Sequence, residues 1–182
     1  MQKRRTRILH AAQKMLVQGG YDGINLRALA TAAGVTVPTL YNLIGNKEQI
    51  VVALFGEALS EVETRMSAHQ GTEPLEIAEA VVIESTGLFA EDEDYYRAAF
   101  IAVEYLSQSD EHHATVARLY AWGERLTAAG CVACTRAGYL QGKVPAAVIG
   151  SHILRTYRTS CRAWAFHRIS LAEFRQQRQW NS

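Results

Sequence analysis

The chain has 182 residues, 48% hydrophobic and 20% charged, and its 19 basic and 18 acidic side chains leave a formal net charge of +1. This composition is too apolar for a disordered chain, and no apolar run reaches the roughly 18 residues that span a bilayer. The start, MQKRRTR, lacks the apolar segment of a secretory signal, so a cytoplasmic protein with no membrane partner is expected.

The first predicted helix covers Lys3 to Gln18, with Ile8, Ala12, Met15 and Leu16 inward and Gly19-Gly20 ending it. Asn25 is a good N-cap, and Leu26, Leu29, Ala30 and Ala33 then recur at three- and four-residue spacing, one stripe of a two-turn helix too short to be stable alone. Gly34 can take positive φ without a Cβ penalty, Thr36 offers a second N-cap, and Pro38 lies in the first turn of the next helix. There Leu40, Leu43 and Ile44 point back to the core and leave Thr36, Val37, Thr39, Tyr41 and Asn42 outward. Gly45 ends that helix, and Asn46 with Gln49 forms a capping-box-like start for a long segment from Lys47 to about His69. Its N-terminus, carrying Lys47, suits a phosphate.

The body follows the same grammar. Gly71 to Pro74 is the best break, then come a helix from Leu75 to about Ala90, the acidic knot Glu91 to Asp94, and a helix from Tyr95 to about Ser107. After a turn at Ser109-Asp110 a long helix reaches Tyr139. Gly142 to Pro145 breaks it, a last long helix runs from Ala146 to about His167, and a short amphipathic tail begins at Ser170. Strand-like alternation and hairpin dipeptides are scarce, so the expected class is all-α.

Two short helices meeting at a glycine form a helix-turn-helix, and a basic head goes with it. Up to residue 50, Lys3, Arg4, Arg5, Arg7, Lys14, Arg27 and Lys47 stand against Asp22 and Glu48 alone, whereas the remainder is mildly acidic. With RILHAAQKML (Arg7 to Leu16), GGYDGINLRALATAAGV and TVPTLYNLIGNKEQI, the chain resembles the tetracycline-repressor (TetR) family of bacterial regulators. The resemblance implies a three-helix DNA-binding domain over residues 1–46 and, over residues 47–182, a linker helix leading into a larger ligand-binding and dimerisation bundle. It implies phosphate contacts from Arg27 and Lys47 and a major-groove surface of Val37, Pro38, Thr39 and Tyr41. Arg5 of the basic arm, Asn25, Thr36 and Asn42 complete the expected DNA-binding set. Leu43 and Ile44 depart from the family, which usually has a polar or aromatic residue followed by Phe or Val.

The resemblance further implies a homodimer on double-stranded operator DNA, most simply a repressor released by a small-molecule effector, with no cofactor. Apolar Ile149, Ile153, Tyr157 and Trp164 on the last long helix are the expected dimer interface. In the body, Glu84 or Glu104 among Phe89, Phe100, Tyr105 and Trp122, with Met66 and Leu88, would suit a cationic or aromatic guest. The same carboxylates have an alternative use in pairing with the late arginines, among them Arg155, Arg158 and Arg162. Cys131 and Cys134 form a C-x-x-C with Cys161, His152 and His167 downstream, but its setting in a small-residue helix favours packing over a metal or redox site. Asp110-Glu111-His112-His113 reads as a solvated helix start, with no metal expected. An enzyme would show a nucleophile elbow, a phosphate loop or a Glu-x-x-His pair, and none is present. A helical protein-binding adaptor would leave the outward Thr36, Thr39, Tyr41 and Lys47 unexplained.

Overall fold

The computed structural model describes residues 2–68, 73–140 and 143–176, and among these the chain forms nine helices and no strand. In chain order they are α1 (Gln2–Gly23), α2 (Leu26–Ala33), α3 (Val37–Leu43), α4 (Lys47–Ser67), α5 (Pro74–Glu91), α6 (Glu93–Ser107), α7 (Asp110–Arg136), α8 (Ala146–Ala165) and α9 (Leu171–Gln176). The expected all-α class holds. Gly20 inside α1 adopts φ +62, so the regular helix stops there as the glycine pair predicts, and one further turn carries the chain to Gly23. The acidic knot is a single-residue break at Asp92, whose side chain caps α6 by accepting from the Tyr95 amide at 3.1 Å. Of the expected boundaries, His69, Gly71 and Gly142 lie outside the described residues. The long helix expected to reach Tyr139 ends at Arg136, because Gly138 turns to φ +84.

Two compact units divide the chain, and the division differs from the boundary expected at residue 46. The first takes in Met1–Glu57 and Asp92–Ala117, the second Ala58–Glu91 and Arg118–Ser182. The physical reason lies in α6, which packs along α1. α1 buries Ile8, Leu9, Ala12 and Leu16, and α6 contributes Tyr95, Ala99, Phe100, Ala102, Val103 and Leu106 to the same core. Desolvation there pushes the Tyr95 phenol up to about 12.

The second unit is organised by rings. Trp164 of α8 has no exposed surface and stacks on Phe89 of α5, with centroids 4.6 Å apart and planes within 4°. Phe174 of α9 covers both, at 6.3 Å from each centroid, and lies 5.6 Å from Tyr157. The hydroxyls of Tyr157 and Ser85 share a hydrogen bond of 2.6 Å. A reciprocal cap starts α9: Ser170 Oγ accepts from the Glu173 amide at 3.1 Å while the Glu173 carboxylate accepts from the Ser170 amide at 2.7 Å. The Ser170 amide and hydroxyl, both donating to the Glu173 carboxylate, hold it below its ordinary value. At Gly150 of α8 the two long helices come so close that a Cβ would lie 2.8 Å from the Ala128 backbone of α7.

Candidate nucleic-acid interface

Three N-caps and two glycines build the head. Asn25 Oδ1 accepts from the amides of Arg27 and Ala28, both at 3.0 Å, starting α2. α2 ends at Gly34, which adopts the left-handed conformation at φ +63, and the Val35 amide donates back to Ala30 O at 2.9 Å. Thr36 Oγ1 accepts from the Thr39 amide at 3.3 Å and shares a 2.9 Å hydrogen bond with the Thr39 hydroxyl. This sets the first turn of α3, with Pro38 inside it at no hydrogen-bonding cost. Gly45 at φ +119 turns the chain out of α3. Asn46 and Gln49 then cap α4 reciprocally, at 2.9 and 3.0 Å.

The result is a short helix with one buried and one open side. Leu40 is fully buried, while Tyr41 is 49% exposed and Pro38 and Asn42 are exposed beside it. Val37 and Thr39 are half-buried on the flank. Leu43 and Ile44, expected inward, are only half-buried, because α3 is two turns long and its end projects past the core. Arg27 is exposed at the start of α2. Arg5, expected to face DNA, instead donates to Glu57 of α4 at 2.8 Å. On the outer face of α1 a groove of roughly 600 Å³ is lined by Thr6, Arg7, His10, Lys14 and Gln18, with Ala32 of α2.

Lys47 opens α4 inside a cluster that spacing does not announce. Its Nζ lies 4.1 Å from the Tyr21 ring centroid and 3.7 Å from Asp22 Oδ1. The Tyr21 hydroxyl donates to Glu48 Oε1 at 2.7 Å, and the ring lies tilted by 37° against that of Tyr105, with centroids 5.1 Å apart. Burial works against the Glu48 charge, but the phenol, the backbone, His112 and Lys47 outweigh it and hold the carboxyl below its usual value. Burial, reinforced by Glu48, pushes the Tyr21 phenol well above its ordinary range. The only sequence signal for this cluster was Tyr21 as an aromatic directly after a helix-ending glycine pair.

The expected effector residues fall in both units. Phe100 and Glu104 are buried in the first, where Tyr105 is 60% exposed. Met66, Glu84, Phe89 and Trp122 are half-buried in the second, and Leu88 is buried there. Of the expected dimer residues, Ile149, Ile153 and Tyr157 keep partial exposure. Trp164 is corrected: it is fully enclosed by its own chain and leaves nothing for a partner to cover. Cys131, Cys134 and Cys161 are buried thiols, and Cys134 Sγ donates to Pro74 O at 3.2 Å. Burial raises the first two above the ordinary thiol value, which disfavours the reactive thiolate. Among the described residues no cluster of three metal-ligating side chains exists, and no helix is long and apolar enough to cross a membrane.

A small-residue helix and an exposed second helix, joined through a left-handed glycine and followed by a capped cationic helix start, define a helix-turn-helix. Residues 8–54 match the family described as bacterial regulatory proteins, tetR family. That match takes in the helix-turn-helix and the start of α4. It is 30% identical over 90 residues to the HTH-type transcriptional repressor KstR of Rhodococcus jostii, a match that takes in 50% of this chain and 42% of that protein. It is thus similar to less than half of that relative. Its fold is similar to the fatty acid degradation regulator FadR of Bacillus halodurans, with a TM-score of 0.78 at 18% identity over 94% of this chain and 90% of the other. FadR of Bacillus subtilis in complex with stearoyl-CoA gives a TM-score of 0.77 at 18% identity, covering 94% of both chains.

Proposed function

We propose that the chain is a sequence-specific DNA-binding repressor that acts as a cytoplasmic homodimer and leaves its operator when a small effector binds the body. The observation that carries this reading is α3, with Leu40 sealed behind it and Tyr41 standing open in front. Slipping the register by one residue would bury the phenol and expose the leucine, so the open face belongs to this packing alone. Val37, Pro38, Thr39, Tyr41 and Asn42 face base edges and groove walls, while Asn25, Arg27, Thr36 and Lys47 fix the backbone. Arg5 joins them on leaving Glu57. Two copies meeting through Ile149, Ile153 and Tyr157 set their α3 helices into grooves about 34–36 Å apart, or a multiple of that.

The relatives' character supports a binding protein and not an enzyme. An acyl-CoA thioester is the effector class to try first, given the stearoyl-CoA complex of a structural neighbour. In the second unit, Met66, Glu84, Leu88, Phe89 and Trp122 are the side chains assigned to the effector. The test is selection of preferred duplexes from a random pool, followed by band shifts with the wild type and Tyr41→Ala, each with and without added acyl-CoA. Enrichment of a palindrome that Tyr41→Ala no longer prefers is the expected result. Equal retention of all duplexes by the wild type would defeat the reading.

A further inference from the structure

Lys47 is held in place on two sides in the free protein. The Tyr21 ring lies against the ammonium at 4.1 Å, and Asp22 Oδ1 stands 3.7 Å away. The lysine side chain keeps 23% exposure, whereas that of Asp22 is 96% exposed. Glu48, the next residue along, is drawn off by the Tyr21 hydroxyl at 2.7 Å. One aromatic side chain therefore does two things: its face receives the cation, and its hydroxyl engages the neighbouring carboxylate that would otherwise compete for it. An exposed carboxylate oxygen beside an ammonium at a helix N-terminus occupies the kind of position a phosphate oxygen takes there.

We propose that Asp22 is a built-in stand-in for a DNA phosphate at Lys47, displaced when the backbone arrives, and that Tyr21 positions the lysine for that exchange. This rests on the DNA-binding reading and adds a consequence: Asp22 weakens affinity for every duplex alike, because it competes with the backbone and not with bases. Its effect runs through Lys47, which separates it from simple repulsion between an acid and the polyanion.

The experiment measures fluorescence anisotropy of a labelled random-sequence duplex over a salt series, with the full chain as wild type, Asp22→Asn, Lys47→Ala and the double variant. Asp22 is exposed, so its substitution leaves the fold intact. The expected result is about two- to fivefold tighter binding by Asp22→Asn at low salt, the range of an exposed ion pair. That gain shrinks to half or less in the Lys47→Ala background. An equal gain in both backgrounds overturns the proposal in favour of through-space repulsion, and no gain or a loss overturns it outright. A wild type that binds neither this duplex nor any selected one overturns the DNA-binding reading itself, whereas normal wild-type binding with an inert Asp22→Asn removes only the present inference.

Discussion

The Tyr21 hydroxyl donates to Glu48 Oε1 at 2.7 Å, joining the end of α1 to the first turn of α4 across 27 residues of sequence. Because the acceptor is ionised, the bond depends on pH. Glu48 is held below its ordinary value, so the stability it contributes is present above about pH 4 and fades as the pH falls through its depressed value. The Tyr21 phenol is raised, so its contribution is present below about pH 10 and is lost as the pH rises through the folded value. Tyr21→Phe keeps the ring and removes only the hydroxyl. It is expected to cost about 1 kcal/mol at neutral pH in urea unfolding. The difference from wild type should narrow below about pH 4; a constant gap down to acid unfolding would assign the loss to packing.

The two sides of α3 should separate stability from binding. Leu40 is fully buried, and Leu40→Ala is expected to cost about 2–5 kcal/mol by denaturant titration, with DNA binding lost alongside the fold. Tyr41 is exposed, and Tyr41→Ala should change stability by about 0.5 kcal/mol or less while abolishing sequence preference. A Tyr41→Ala protein that melts several degrees lower would show the ring to be structural.

Gly34 and Gly45 both need positive φ, but they differ in the space around them. Nothing approaches closer to a Cβ at Gly34 than Arg7 Nη1 at 3.8 Å, so the cost there is conformational alone. Gly34→Ala is expected to cost about 1–2 kcal/mol, and Gly34→Asn less, since asparagine tolerates this region. At Gly45 a Cβ would collide with the Gln49 side-chain amide, so any side chain also expels the glutamine that caps α4. Asparagine should therefore rescue the first position and fail at the second, as read by thermal melting.

The head was legible because its determinants are local. Asn25, Gly34, Thr36, Asn46 and Gln49 each act on a group within five residues, and such relations survive in a linear reading. Contacts distant in sequence left no such trace. The stack of Phe89 on Trp164 joins residues 75 apart by their numbering, and the packing of α6 on α1 moved the unit boundary away from the composition change near residue 46. Trp164 looked like interface because its helix is apolar on more than one face; periodicity marks a face as apolar without saying which neighbour covers it. The pairing of Arg5 with Glu57 was hidden for the same reason, since 52 residues of sequence separate the two partners.

The close approach of α7 and α8 gives the sharpest steric test in the second unit. A Cβ on Gly150 would lie 2.8 Å from both N and Cα of Ala128 and 3.1 Å from its Cβ, and backbone in mid-helix cannot swing aside as a long side chain can. Gly150→Ala would normally favour a helix by about 1 kcal/mol. Here overpacking, typically about 1–3 kcal/mol, opposes that gain and should exceed it, so the net change is destabilising. Gly123 provides the internal control, since its Cβ would meet only the Leu154 side chain, at 3.2 Å. Leucine methyl groups can shift by a few tenths of an ångström where backbone cannot, so Gly123→Ala should be milder than Gly150→Ala. Thermal unfolding of the two variants side by side decides it: if Gly150→Ala proves the more stable protein, the helices are not held at the separation described.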